Sequence, residues 1–438
     1  MTSKTSIAFL IASCGIAAGA SAQIAFTAGG TLPANLRPSG VAIADFTGDG
    51  RNDVAVTVDN PDRLLVYPGN GDGTFGAALS RQLPSGSGAG DIAAADFDGD
   101  GDVDVAVAYQ NLAQVQILVN GGAGTFTLGA TAAVGANPRG TQAVNIDGDA
   151  DMDIAVANRD GNTVSVITNT GGGLAVATQP AGVEPRQPAF GDRDGDGDMD
   201  MAVSSHDDRT VRLFNNTGGV FTPAGTLNVP PSTRPEGLAF ANISGSPLPE
   251  LVVATSDDNL GFVTVYPNNG GTFGAFQNYN TIGFEPGPLV VADLDLDGDT
   301  DVIAANEDTN NIAVFTNNGG SLGTPALLAT GTNPTSIAVG RLNAGQLPDI
   351  AVANRDSNNV SLFMNTGTEP TPGCDSIDFN GDGLFPDNND LRDFLAVFAG
   401  GACPTGTCGD IDFNNDGLFP DNEDIFAFFR VFGGGACQ

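Results

Sequence analysis

Lysine is almost missing from this 438-residue chain, with Lys4 the only one, and 15 arginines and one histidine stand against 52 acidic residues for a formal net charge of −36 at pH 7. A surface so short of cations excludes nucleic acid as a partner, because phosphates need basic groups to displace their counterions. Catalytic signatures are scarce as well: no HExxH helix and no CxxC pair occurs, and there is no lysine to complete a phosphate-binding glycine loop. His206 falls in a turn between two apolar runs, where a lone histidine is expected to be solvated rather than catalytic. Paired carboxylates can hydrolyse glycosides, but aspartate is so abundant here that a pair carries no information. Cysteine is absent from residues 23–368, and beyond the N-terminus no stretch is long and apolar enough to span a membrane.

What is abundant is ordered. The segment Asp96, Asp98, Asp100, Gly101, Asp104 reads DxDxDGxxD, and related segments begin at Asp45, Asn145, Asp192, Asn242, Asp293 and Arg341, a period of 47 to 51 residues. Oxygens at alternate positions can converge on one hard cation, and a glycine at position 6 permits the sharp turn, so this is the grammar of a calcium loop. Each loop leads into a short apolar run, such as Asp104 to Ala108, Asp153 to Ala157 or Asp301 to Ala305. These runs are too short for helices, rich in β-branched residues and apolar on both faces, as strands clasped between neighbouring sheets should be. Turns such as Asn158 to Asn162 and Asn354 to Asn358 suit tight hairpins.

Four short strands per unit and seven units predict an all-β, seven-bladed β-propeller. The seventh unit ends at Asn365 without a fourth strand, while Ile24-Ala25-Phe26-Thr27 resembles the fourth-strand segments. The N-terminal segment is therefore expected to complete the last blade and close the ring, leaving no open edge.

These repeats resemble the FG-GAP or VCBS repeat family, whose seven-bladed propellers include the integrin α-subunit head. The resemblance covers residues 24–368 and implies calcium as the bound metal. Its ligand positions carry over to Asp45, Thr47, Asp49 and Asp53; to Asp96, Asp98, Asp100 and Asp104; and to Asn145, Asp147, Asp149 and Asp153. They carry over likewise to Asp192, Asp194, Asp196 and Asp200, and to Asp293, Asp295, Asp297 and Asp301. The fifth unit, with Asn242, Ser244, Ser246 and Glu250, and the seventh, with Arg341, Asn343, Gly345 and Asp349, are expected to hold their turns without metal. The third is intermediate, since Ala150 replaces the glycine and Asn145 the first aspartate.

The ends differ in character from the repeats. Residues 1–22 carry Lys4, an apolar stretch from Ile7 to about Ala20, and Ala20-Ser21-Ala22 before Gln23, which reads as a secretory signal peptide and implies a secreted or cell-surface protein. Ile11-Ala12-Ser13-Cys14 offers a lipoprotein cleavage box as the alternative. After the propeller at 23–368 and a linker at 369–373, residues 374–438 repeat with a period of 34. Each copy has a DxNxDG calcium loop, at Asp378, Asn380, Asp382 and at Asp412, Asn414, Asp416, followed by apolar residues at helical spacing. This small α, EF-hand-like domain resembles the cysteine-bracketed dockerin-like tails of planctomycete secreted proteins. The acidic residue expected at position 12 is displaced by one, so Asp390 and Asp424 are the candidate bidentate ligands, with Asn389 and Glu423 as rivals. Cys374, Cys403, Cys408 and Cys437 are expected to form two disulfides in an oxidising space. Pairing within each copy, Cys374 with Cys403 and Cys408 with Cys437, is expected, against a rival that joins Cys374 to Cys437 and Cys403 to Cys408.

The few cations cluster in the pattern. Arg37, Arg139, Arg186 and Arg234 flank prolines that open the innermost strands, and Arg159, His206, Arg209 and Arg355 lie in hairpins on the same side. They are expected to ring the channel mouth opposite the calcium loops, where arginine forks suit carboxylates or acidic sugars. Pairing with nearby aspartates is the alternative. The whole reads as an exported, calcium-binding, non-catalytic recognition or adhesion protein for a protein or polysaccharide ligand, with a cohesin-like or envelope partner for the tail. A polysaccharide lyase or hydrolase and a structural surface protein are the other readings, since a propeller fold does not fix function.

Overall fold

The computed structural model describes residues 23–368 apart from 35, 172, 258 and 259. The expected signal peptide, linker and dockerin-like tail, with its calcium loops and all four of its cysteines, lie outside the described residues. Within them the chain forms seven four-stranded antiparallel sheets. Blades 1 to 6 are residues 36–82, 89–133, 138–180, 185–228, 234–280 and 286–329, each a simple meander from the innermost to the outer strand. Blade 7 takes three strands from residues 334–365 and its outer strand from Phe26–Pro33. That strand pairs antiparallel with Asn359–Asn365, from Phe26 opposite Asn365 to Pro33 opposite Asn359, so the chain's own start closes the ring.

The second strand of every blade is buried along almost its whole length, which explains why it is apolar on both faces. Its alternate residues enter two different cores. Val54, Val56 and Val58 pack toward blade 7 against Ala351 and Ala353, while Ala55 meets Val105 and Val107 of blade 2. Ala106 and Ala108 in turn receive Ile154 and Val156 of blade 3. In these joints a bulkier face meets a smaller one, and seven apolar clusters fill the seven joints of the ring.

A second device ties the blades together. Asn120, Asn169, Asn216, Asn317 and Asn365 each lie 24 residues after the first position of their own acidic loop. The side-chain amide of each donates to the backbone carbonyl of position 2 in the preceding blade's loop: Phe46, Phe97, Ile146, Ile243 and Leu294, at 2.6–2.9 Å. Asn268 does the same to Arg193 at 2.8 Å. Asn317 is fully buried, so Asn317→Ala strips the Ile243 carbonyl and the Gly320 and Ser321 amides of a partner. The expected cost is about 1–3 kcal/mol, read as a lower urea midpoint with an unchanged slope.

Candidate functional site

The acidic loops join the innermost and second strands at one end of the ring. Position 9 ties the loop to the blade in all seven, with both bonds made in five of them. One oxygen of Asp53, Asp104, Asp153, Asp301 and Asp349 accepts the amide of position 2 at 2.7–3.0 Å, and Glu250 accepts that of Ile243 at 2.9 Å. In the aspartate loops the other oxygen accepts the amide 16 residues later, from Gly69, Asn120, Asn169, Asn216, Asn317 and Asn365, at 2.7–2.9 Å. Position 4 proves as demanding as position 6. Gly48, Gly99, Gly148 and Gly195 all have positive φ there, and in the sixth loop Leu296 is forced to +59°.

Three loops bring carboxylates together as a cation requires. Ligand atoms of Asp96, Asp98 and Asp104, of Asp192, Asp194 and Asp196, and of Asp293, Asp295 and Asp297 lie within 4.8 Å of one another. The sixth loop provides the test of fit. Asp295 is 1% exposed, and among the described residues neither of its carboxylate oxygens has a hydrogen-bond partner. Burial, then Asp297 and Asp293, push its carboxyl up to about 6, and burial pushes Asp301 up to about 7. A buried carboxylate facing two others with nothing to neutralise it fits a bound calcium ion.

The other loops differ in how their centre is filled. In the first, Asp45 accepts the amides of Gly48, Asp49 and Gly50, while Asp49 pairs with Arg51 at 3.5 Å. In the third, Asn145 spends its amide on the Asp149 carbonyl, and Asp147 and Asp149 accept local amides. The fourth, which also gathers Asp192, Asp194 and Asp196, differs in that Arg193 replaces the apolar residue of position 2 and approaches Asp200 at 3.7 Å. In the fifth, the Ser244 and Ser246 hydroxyls donate to Glu250; in the seventh, the Asn343 amide donates to both oxygens of Asp349 at 3.0 Å. Neutral donors there stand where a cation would.

At the opposite end the channel opens into a cavity of about 830 Å³. Every innermost strand carries a register shift just past its start, in six blades beside the proline that opens it, as between Arg139 and Thr141, Pro185 and Pro188, or Pro235 and Leu238. Such bulges re-aim side chains, here toward the mouth. Arg139, Arg186, His206, Arg209, Arg234 and Arg355 line the cavity. Arg37 and Arg159 do not; they pair with Asp59 at 3.6 Å and Glu184 at 3.1 Å. Arg186 reaches Glu184 at 3.3 Å and Glu236 at 3.5 Å, and His206 holds Glu236 through Nε2 at 2.9 Å and Asp207 through Nδ1 at 2.8 Å. Part of the arginine set is thus tied to carboxylates.

Sequence reasoning missed the acidic half of the mouth, where Asp91, Glu236, Glu285 and Glu307 stand on the same walls. A signal existed. Asp59, Gln110, Arg159, His206, Glu307 and Arg355 each lie six residues after the position-9 aspartate, and Arg139, Arg186 and Glu236 each follow the proline that opens an innermost strand.

The FG-GAP-like repeat profile matches residues 45–107, 145–203, 192–253 and 293–352, together more than half of the chain, and each match begins on the first residue of an acidic loop. The chain belongs to the FG-GAP-like repeat family. Solved structures resembling this FG-GAP-like repeat protein include virginiamycin B lyase from Staphylococcus aureus, with a TM-score of 0.54 and 13% identity over 78% of this chain and 99% of that one. BBS1N, solved in complex with ARL6DN, gives 0.54 and 12% over 77% and 96%. A protein from Lactobacillus plantarum gives 0.51 and 17% over 68% and 86%. These likenesses carry the propeller fold alone. No curated protein matches the sequence. Among the described residues no helix is long and apolar enough to cross a membrane.

Proposed function

We propose that this FG-GAP-like propeller is an exported, calcium-binding recognition or adhesion protein that captures an anionic ligand at its channel mouth without turning it over. The observation that carries this reading is the mouth itself, a cavity of about 830 Å³ into which Arg139, Arg186, Arg234 and Arg355 project from four different blades. Its size suits a small-ligand site or a segment of a larger partner. Calcium in the second, fourth and sixth loops would brace the far end, with Asp96, Asp98 and Asp104, Asp192, Asp194 and Asp196, and Asp293, Asp295 and Asp297 as its holders. The tail, read as a dockerin-like domain with two calcium loops and two disulfides, would tether the propeller to an envelope or cohesin-like partner.

The test is capture of acidic and neutral glycans and peptides by the full-length protein, with product release monitored in parallel. Acidic probes are expected to bind without product, and the combined replacement of Arg139, Arg186 and Arg234 by Ala is expected to abolish capture. The melting temperature should fall little, because ion pairs that reach solvent contribute about 0–1 kcal/mol each. Release of cleaved or unsaturated product would make the protein an enzyme, and a large fall in melting temperature would make the arginines structural.

A further inference from the structure

Several charged groups of the mouth stand outside the ion-pair network of Glu184, Arg186, His206 and Glu236, among them Arg139 and Glu307 on opposite sides of the ring. Arg139, on blade 3, makes one long side-chain hydrogen bond, from Nε to Asn137 Oδ1 at 3.4 Å, and meets no carboxylate within 4.0 Å among the described residues. Its charged neighbours include Arg159 and Arg186, and burial followed by these two cations holds its guanidinium below the usual range. Glu307, on blade 6, has neither hydrogen bond nor ion pair for its carboxylate among the described residues. It lies over Gly287, where a Cβ would overlap the carboxylate. Glycine at this one position of the innermost strand is what admits Glu307 to the channel wall. Burial, then Glu236, push it up to about 8, with Arg186 opposing and Glu285 and Asp308 adding to the rise.

An isolated ionisable group on a half-buried wall is costly to charge, and a guanidinium and a carboxyl on facing walls mark a site awaiting complementary groups, with an ammonium beside Glu307 favouring its ionised form. Blades 3 and 6 stand across the seven-bladed ring from each other. An anion alone satisfies Arg139 and leaves Glu307 unmatched; a cation alone does the reverse. Among the described residues no Phe, Tyr or Trp lines the cavity, so it lacks the broad apolar ring face on which a sugar usually lies, whereas serine, threonine, glutamine and backbone groups suit peptide amides.

We propose that the mouth binds a short peptide segment bearing both charges, its carboxylate on Arg139 and its ammonium on Glu307. This rests on the reading of the mouth as the ligand site and narrows the ligand to a zwitterionic peptide. Arg186 and Glu236, paired with each other at 3.5 Å, stand on the walls of blades 4 and 5 between the two contacts.

The probes are blocked-terminus peptides in which one aspartate and one lysine are separated by glycine spacers of increasing length, with controls in which either charged residue is replaced by its neutral amide or by norleucine. Titration into the full-length protein is expected to show a spacer at which the doubly charged peptide binds about tenfold or more tighter than either single-charge control, the factor carried by one charge-assisted hydrogen bond. Glu307→Gln should erase the preference for lysine while leaving the acid-only peptide unchanged, and Arg139→Gln should erase the preference for aspartate. Glu307→Gln removes an unpaired carboxylate and is expected to fold, so the test survives a misfolded Arg139 variant. Acid-only peptides or acidic glycans binding as tightly as the doubly charged series would overturn the zwitterionic ligand and leave an anion site in place. Binding of none of the probes by the folded protein would overturn both.

Discussion

Removal of calcium from the full-length protein is expected to lower its melting temperature by roughly 5 °C or more. Extracellular calcium modules bind at about 10⁻⁴ to 10⁻³ M, so about a hundredfold excess over the dissociation constant contributes about 2.7 kcal/mol per occupied loop. A kilocalorie moves the midpoint of a domain somewhat smaller than this one by about 2–4 °C. The physical source is the buried carboxylate of Asp295, which without a cation faces the more exposed Asp293 and Asp297. Asp295→Asn relieves that repulsion, so the variant should lose part of the calcium response and be less damaged by chelator than the parent. An unfolding curve that stays in place after chelation, with the metal shown to be gone, would reduce the loops to turns.

Replacing Asp349 by Ala is expected to destabilise the propeller by about 2–6 kcal/mol, equally with calcium and with chelator. Its carboxylate is fully buried and accepts the amides of Leu342 and Asn365, each at 2.7 Å, besides the side-chain amide of Asn343. Alanine leaves two backbone donors unsatisfied, at about 1–3 kcal/mol each. The joint also holds Asn365, whose amide bridges to the Leu294 carbonyl of blade 6. Asp301→Ala removes the matching pair of bonds in the sixth loop, and there the loss should grow when calcium is present, because that loop also fits a cation. Equal calcium dependence at Asp349 and Asp301 would show that position 9 does not distinguish a metal loop from a metal-free one.

The two loops show how far sequence reading reaches. Ser244, Ser246 and Glu250 lack the acidic set, and the structure fills their centre with hydroxyl donors; Asn343 and Asp349 lack it too, and an amide fills theirs. The first loop reads as nearly complete, and Asp45 accepts the same loop amides as Asp96 and Asp192, but there Asp49 also pairs with Arg51. Residue type alone does not tell which donor or cation a carboxylate oxygen meets.

From the sequence alone came the seven units, the two-sided burial of the second strands and the strand that closes the ring, because periodicity, apolar patterning and turn residues are local and repeat with the chain. Tertiary structure decided what depends on groups meeting across joints. It set Asn120 and its counterparts against the loop of the preceding blade, Arg193 beside Asp200, and Arg139 and Glu307 on facing walls of one channel. The charge of the mouth likewise became visible only there, since arginines at regular sequence intervals share their ring with acids from neighbouring blades. Whether a charge is paired depends on distance in space, and distances between blades are set by how the ring closes.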